Sequence, residues 1–303
     1  MVPKERQIRT DTCPVCGETE YRVCAEQVKQ KYRIVKCSSC GLIYTNPMPS
    51  DENDNSFNEL YHDWDYHNIF TDNPEKALEM ARSEMVGQFN YWKSKNLMIT
   101  DKGNFLDIGC GAGHILAAAK EMGWAPIGLE IDRNAFRETA KMWDLDIRST
   151  YLSEANFADN YFDWIRARYV FEHLPSPSDL LKDVFRVLKP GGILTIDVPN
   201  QNGFFSQLRV LRGKEQGQGQ FYGYLDPPLH VIGYSPKTMK LLLLKNGFEV
   251  PLSFSTYPGS PVWRPESAPK GLTRKPYILV QRLMCMFPDR GSISVTCGRK
   301  SLK

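Results

Sequence analysis

The run LDIGCGAGH, Leu106 to His114, constrains the fold more than any other stretch of this 303-residue chain. It reads as an apolar strand that passes the acidic Asp107 and breaks into a glycine-rich turn. HILAAAKEMG then reads as a helix, and APIGLEI as a second strand with Glu130 at its end. A strand, a glycine turn, a helix and a second strand tipped by a carboxylate build a nucleotide-type pocket. The turn glycines, Gly109, Gly111 and Gly113, let the backbone approach a ligand. The helix N-terminus behind them offers N–H groups to an anionic part of it. Glu130 is placed to accept hydrogen bonds from two ribose hydroxyls. The spacing is G-x-G-x-G, with His114 where a dinucleotide-binding turn has its third glycine.

The same alternation continues. RNAFRETAKMW and SDLLKDVFRVL read as helices; LDIRSTYL, YFDWIRARYV and GGILTIDVP read as strands. YSPKTMKLLLLKNGFEV reads as a helix running into a strand, and SISVTCGRK as a closing strand. Alternating strands and helices predict an α/β fold, a Rossmann-like, mostly parallel sheet with helices on both faces. LKPGG (Leu188 to Gly192) reads as a helix stop followed by a turn. A helix over about residues 75–97 precedes the core, behind an Asn-Pro start. Insertions fall at about 200–228 and 257–291, and GKEQGQGQ in the first, with three Gly, is expected to be mobile.

Eight cysteines are present, and four have a telling arrangement. Cys13 and Cys16 form CPVCG, and Cys37 and Cys40 form CSSCG. Two C-x2-C knuckles, each followed by Gly, predict a four-thiolate structural zinc site within a ribbon over 1–48. Two disulfides or four unrelated thiols are the alternatives, disfavoured in a chain with no export signal. Cys24, Cys110, Cys285 and Cys297 read as small buried hydrophobes. A helical linker or lid region, 49–100, separates the ribbon from the main domain, 101–303.

Net charge is only +3, and no cluster of Lys and Arg marks a nucleic-acid face. The polar N-terminus MVPKERQIRT has no apolar signal core, and no apolar run reaches the length of a bilayer span. A cytoplasmic location without a membrane span is therefore expected; the oligomeric state is not legible.

LDIGCGAGH, LEID, FEHL and LKPGG, in this order and spacing, resemble a class I S-adenosylmethionine-dependent methyltransferase over residues 100–250. The resemblance implies a seven-stranded sheet whose last strand, 292–299, is antiparallel. It implies S-adenosyl-L-methionine as cofactor. Gly109, Cys110, Gly111 and Gly113 would carry its amino-acid end, with Asp107 near the ammonium. Glu130 would take the ribose hydroxyls and Ile131 would pack on the adenine. Tyr151 stands where relatives often have an acidic adenine contact, so backbone groups of Leu152 or Ser153 are the expected replacements. The ribbon ahead of this core, and PLHVIGYSPKTMKLLLLKNGF after it, resemble bacterial methyltransferases of sugar and polysaccharide modification.

A sulfonium methyl needs in-line geometry and a dry pocket more than acid catalysis. A hydroxyl acceptor also needs a base. His230, in the loop before YSPKTMK, and His173, after YFDWIRARYV, are the candidates, each with a capping or structural role as its alternative. Tyr61, Trp64, Tyr66, Phe221, Tyr222 and Tyr224 are candidate walls for a small-molecule or glycan acceptor. Three readings stay open: O-methylation of a sugar, nucleotide sugar or other small molecule; methylation of an RNA base with the ribbon on RNA; and a non-catalytic interaction module.

Overall fold

The antiparallel strands β1 (Tyr21–Val28), β2 (Tyr32–Cys37) and β3 (Ile43–Asn46) carry the cysteine knuckles at their ends. The computed structural model describes residues 12–28, 32–49, 73–97, 100–215, 222–257, 274–287 and 289–302. Helix α1 (Pro74–Ser94) follows, close to the 75–97 read from the sequence. The Asn73 side chain accepts from the Lys76 N–H at 3.0 Å and caps it, with Pro74 in the first turn.

The core then alternates: β4 (Asn104–Ile108), α2 (His114–Glu121), β5 (Ala125–Leu129), α3 (Arg133–Met142) and β6 (Asp146–Arg148). After these come β7 (Phe162–Arg168), α4 (Pro177–Val187) and β8 (Leu188–Pro199). Helix α5 (Phe204–Glu215) lies in the first insertion, followed by the two-residue β9 (Ile232–Gly233). The chain closes with α6 (Pro236–Lys245), β10 (Glu249–Thr256), α7 (Arg274–Met284) and β11 (Ile293–Arg299).

Seven strands form one sheet in the order β10-β11-β8-β7-β4-β5-β6. Neighbours from β8 to β6 are parallel, and β11 runs antiparallel between β8 and β10, as the family resemblance implied. Phe105, Leu106, Trp164, Ile165, Leu194 and Ile196 are inaccessible to solvent and Thr195, on the other face of β8, is buried, so β4, β7 and β8 are covered on both faces. The Trp164 indole N–H donates to Thr195 Oγ1 at 3.0 Å, which satisfies the one polar atom that this large side chain buries. Strand order reverses between β4 and β7, and ligands bind at the C-terminal ends of strands at such a point.

Two local readings change. LKPGG is not a turn between helix and strand: α4 ends at Val187 and Leu188 is already extended (φ −75°, ψ 134°), opening β8. The irregularity is absorbed by a bulge against β7 between Phe162 and Trp164 and by Gly191 at φ 78°. The ribbon, in turn, gains a strand from the main domain: β9 pairs with β3 to give the order β1-β2-β3-β9. Cys13, Cys37, Leu42, Tyr44 and Met48 join the same apolar cluster as Leu181, Val184, Tyr234 and Leu242. GKEQGQGQ begins inside α5, and its remainder, 216–220, lies outside the described residues, as do Tyr61, Trp64, Tyr66 and Phe221.

Gly128 sits where β5 packs on α2. A Cβ there would lie 2.5 Å from Leu116 Cδ1 and 2.6 Å from Cys110 Sγ. Overpacking of this kind costs about 1–3 kcal/mol. Gly128→Ala is expected to lower the free energy of unfolding in urea by that amount; an unchanged midpoint would show that α2 shifts freely.

Candidate functional site

The glycine turn hangs between two strand ends. The N–H groups of Gly109 and Cys110 donate to the Leu129 carbonyl at 2.8 and 3.1 Å. Gly109, Gly111 and Gly113 adopt φ of 70°, 52° and 75°, which only glycine takes without strain. A Cβ on Gly109 would meet Val170 Cγ2 at 2.7 Å, so the turn also packs closely on the chain leaving β7. Gly113 caps α2 with its backbone, without a side-chain hydrogen bond. His114 starts the helix, buried edge-on against Trp143, and serves packing.

Glu130 is buried at the end of β5. Its Oε2 accepts from Gly111 N–H and its Oε1 from Asp132 N–H, both at 3.0 Å. One carboxylate thus ties the turn to the chain that enters α3. Ile131 beside it is 41 % exposed, an apolar surface at the pocket rim. Leu152 is buried and Ser153 exposed, in the loop after β6. Tyr151 is half-buried there.

Asp107 lies under the turn, buried, and both its oxygens accept from Arg166 Nη1 at 2.9 and 3.0 Å. Arg166 Nη2 reaches Glu84 of α1 at 3.1 Å, and Arg168 Nη1 reaches the same Glu84 oxygen at 2.7 Å. Burial pushes the Asp107 carboxyl up, while the Arg166 guanidinium pulls it back. The sequence reading missed Arg166, Arg168 and Glu84. The signal was available: two arginines at alternate positions share one face of a strand that is otherwise apolar. Tyr169, next in the chain, has φ 54° and donates its N–H to the Asp197 carbonyl at 2.9 Å. Such a non-glycine conformation is costly and clusters at functional sites.

The two candidate histidines meet. His173 ends a short 3-10 turn, Phe171–His173, after β7, and its ring centroid lies 4.8 Å from that of His230. His173 Nδ1 is 2.8 Å from the Leu229 carbonyl and His230 Nδ1 is 3.0 Å from the Tyr224 carbonyl. A carbonyl only accepts, so each Nδ1 carries a proton, and the His173 ring has a further backbone hydrogen bond at Tyr169. Burial and then the His230 ring push His173 down to about 3. Glu172 is buried beside them, and burial pushes it up to about 8. Tyr222 and Tyr224 flank this loop half-buried, with Arg209 5.5 Å over the Tyr224 ring.

The four ribbon cysteines converge. Cys13 Sγ lies 3.5 Å from Cys40 Sγ and Cys16 Sγ 3.4 Å from Cys37 Sγ, and all four sulfurs fall within 4.8 Å of one another. Sulfurs of a tetrahedral zinc–thiolate site stand ~3.8 Å apart, so the donor set fits that ion. Gly17 (φ 80°) and Gly41 (φ 81°) close the knuckles, donating to the Cys13 and Cys37 carbonyls at 2.8 and 3.2 Å. The thiols are coupled: Cys40 is lowered to about 5 by the Cys13 hydrogen bond, and Cys13 is raised by it. Of the other four cysteines only Cys297 is fully buried; Cys24, Cys110 and Cys285 are half-buried. No helix among the described residues is long and apolar enough to cross a membrane.

A family model described as a methyltransferase domain matches residues 76–252, more than half of the chain. The chain is 29% identical over 104 residues to the ubiquinone biosynthesis O-methyltransferase of Proteus mirabilis, spanning 32% of this chain and 42% of that protein. It is 32% identical over 124 residues to the demethylmenaquinone methyltransferase of Listeria monocytogenes, spanning 37% and 52%. The chain thus spans about half the length of these curated relatives. Among solved structures, a chain from the complex between the Haloferax volcanii Trm112 methyltransferase activator and a methyltransferase matches with a TM-score of 0.51. The identity is 16%, over 81% of this chain and 97% of that one. That similarity supports the fold alone.

Asp197, buried at the end of β8, yields a test of the electrostatics. Burial pushes it up to about 6, against the pull of Arg166 and Arg168. Between about pH 4 and pH 6 the folded protein therefore holds a proton that the unfolded chain has released. The contribution is full below about pH 4 and is lost as pH rises through 6, on the order of 3 kcal/mol. Asp197→Asn removes it, so the stability of the variant relative to wild type is expected to rise from pH 4 to 6. A difference independent of pH, in urea unfolding series, would show that Asp197 is ionised throughout.

Proposed function

Since the chain belongs to the methyltransferase-domain family, we propose that it transfers a methyl group from S-adenosylmethionine to a hydroxyl of a small molecule. The observation that carries the acceptor side of this reading is the meeting of His173, just after β7, with His230. Bound S-adenosylmethionine supplies an electrophilic sulfonium methyl. The protein's own task is to bind, orient and exclude water.

The turn Gly109, Cys110, Gly111 and Gly113 and the N-terminus of α2 are suited to the carboxylate of the amino-acid end. Asp107 is the group for its ammonium. A carboxylate has about four acceptor positions, and Arg166 occupies two of them, leaving capacity toward the turn. Glu130 is the group for the two ribose hydroxyls, Ile131 the apolar surface for the adenine, and Leu152 and Ser153 the backbone that reads its edge. The acceptor's hydroxyl is assigned to the histidine pair, with His230 foremost, where its proton is removed. Tyr222 and Tyr224 wall that side.

Two of the relatives are named for quinone-pathway acceptors, and a small hydroxylated ring suits the same aromatic walls. The ribbon supports a sugar or nucleotide sugar instead, through its resemblance to sugar-modifying methyltransferases. We propose zinc at Cys13, Cys16, Cys37 and Cys40, where it braces the fold.

Losing hydrogen bonds to a charged group costs about 1.5–3 kcal/mol, tenfold or more in affinity. Glu130→Ala is therefore expected to weaken S-adenosylmethionine binding by about tenfold or more in calorimetry. His230→Ala should leave that affinity near wild type while abolishing S-adenosylhomocysteine release with nucleotide sugars or quinols as acceptors. Loss of both in His230→Ala would assign this residue to folding. Cys37→Ser should release zinc from the purified protein, measured by elemental analysis, and lower its melting temperature. Retention of one zinc would place the metal elsewhere.

A further inference from the structure

We propose that helix α7 and the turn after it seat this protein on an anionic lipid bilayer. Binding there requires nothing of the methyl-transfer reading.

The helix is built inside out. A helix packed on a globular core turns its apolar side chains inward and its polar ones outward. In α7 the inward residue is Gln281, which is fully buried, and its Oε1 accepts from the hydroxyl of Ser292, just before β11, at 2.7 Å. Cys285, one turn on, lies against Gly291, where an added Cβ would meet its Sγ at 2.8 Å. The large apolar residues face the other way: Leu279, Leu283, Met286 and Phe287 are 58, 46, 78 and 58 % exposed. Their positions fall at i, i+4, i+7 and i+8, one face of a helix. The winding carries past the end of α7, since Met286 N–H donates to the Leu283 carbonyl and Phe287 N–H to the Met284 carbonyl, both at 3.1 Å. The four side chains therefore form one outward stripe, and contiguous apolar surface of this kind marks a binding face.

Charge selects the partner. Residues 274–290 contain Arg274, Lys275, Arg282 and Arg290 against the single acid Asp289, a net +3 that equals the charge of the whole chain. Arg282 and Arg290 are exposed. Arg282 stands three positions after Leu279 and so borders the stripe, its guanidinium 5.8 Å over the Tyr257 ring. An apolar face edged by cations matches an interfacial helix, which sinks its apolar side to the acyl boundary and leaves its cations among anionic headgroups. A second copy of the chain would set these cations against themselves. A nucleic acid would use the cations and leave the aliphatic side chains in water. With 11 residues, α7 has about half the length of a span, so the contact is with the surface.

The stripe is held in place by the core. Asn200 Nδ2 donates to the Asp289 and Gly291 carbonyls at 2.9 and 2.7 Å, and Phe204 N–H donates to the Arg290 carbonyl at 3.0 Å. Asn200 directly follows β8. The turn after α7 is thus fastened to the chain leaving the C-terminal end of that strand, beside the sheet edge at which ligands bind in open α/β folds.

The test is sedimentation of the full chain with vesicles of phosphatidylcholine, with and without phosphatidylglycerol. Binding to the phosphatidylglycerol vesicles is expected, falling as salt is added. Leu283→Glu and Phe287→Glu should each weaken it by more than about tenfold, and Arg282→Ala by about fivefold. Their urea midpoints should match wild type, because the altered side chains lie outside the core. If Leu283→Glu unfolds, Phe287→Glu, beyond the helix, carries the comparison. Absence of binding overturns the proposal, and equal binding to the neutral vesicles overturns the anionic partner. Loss in Arg282→Ala without loss in the two glutamate variants shows a plain charge contact and overturns the apolar seat. So does a dimer in sedimentation velocity that Leu283→Glu dissolves, since a second copy then covers the stripe.

Discussion

The ion group Asp107–Arg166–Glu84, with Arg168 on the same Glu84 oxygen, is the interaction on which the rest of the site depends. It joins β4, β7 and α1 in an interior where isolated charges would cost several kcal/mol each. Such a group is poor evidence of stability, since apolar residues of the same shape would serve as well or better. Its effect is on position. Asp107 is the last polar residue before the glycine turn, and Arg166 fixes its carboxylate with two contacts from one nitrogen. The turn therefore leaves β4 from an anchored point, and α1 is bound to the same point through Glu84. Gln88 supports Glu84 from one helical turn further on, at 3.1 Å.

The ribbon acts on a different part of the fold. Its strand β3 takes β9 as a neighbour, and the Thr45 N–H donates to the Val231 carbonyl at 2.9 Å. Val231 in turn donates to Glu172. A continuous run of backbone hydrogen bonds thus leads from the ribbon sheet through Val231 to the 3-10 turn that carries Glu172 and His173. His230 directly precedes this run. The fold around the four cysteines therefore braces the turn that carries Glu172 and His173, and its influence passes through the backbone. Buried Tyr44 and Met48 in the shared apolar cluster reinforce the same junction.

Much of this was legible in the sequence, for identifiable reasons. The glycine turn and Glu130 were readable because their chemistry is local: residues within one strand–turn–helix–strand unit fix both geometry and contacts. The cysteine knuckles were readable for the same reason, since each C-x2-C-G is a self-contained turn. The parallel order of the central strands followed from alternation alone. Arg166 and Glu84 were not found because they are 82 residues apart and their meaning lies in each other. A lone arginine in an apolar strand signals burial, but its partner is chosen by tertiary packing. β9 was missed because a two-residue strand has no periodicity to read. LKPGG was misread because Pro and Gly normally punctuate, whereas here the bulge opposite Phe162 lets them enter a strand.

The histidine pair shows what lies between these cases. Both residues could be singled out as candidates, because one follows a strand at the sheet's C-terminal edge and the other precedes a capped helix. Their meeting could not be read, since 57 residues and an insertion separate them. What makes the meeting chemical rather than incidental is the backbone on either side. Two unrelated loop carbonyls, from Leu229 and Tyr224, each take one Nδ1 proton, and the backbone at Tyr169 holds the His173 ring as well. A pair held only by packing has no reason to share a tautomer. With Glu172 tied in the adjacent turn to Val231, the backbone positions three polar side chains from two distant segments. Under the proposed methyl transfer to a hydroxyl, such prior order would serve alignment and the freeing of the acceptor oxygen from its proton.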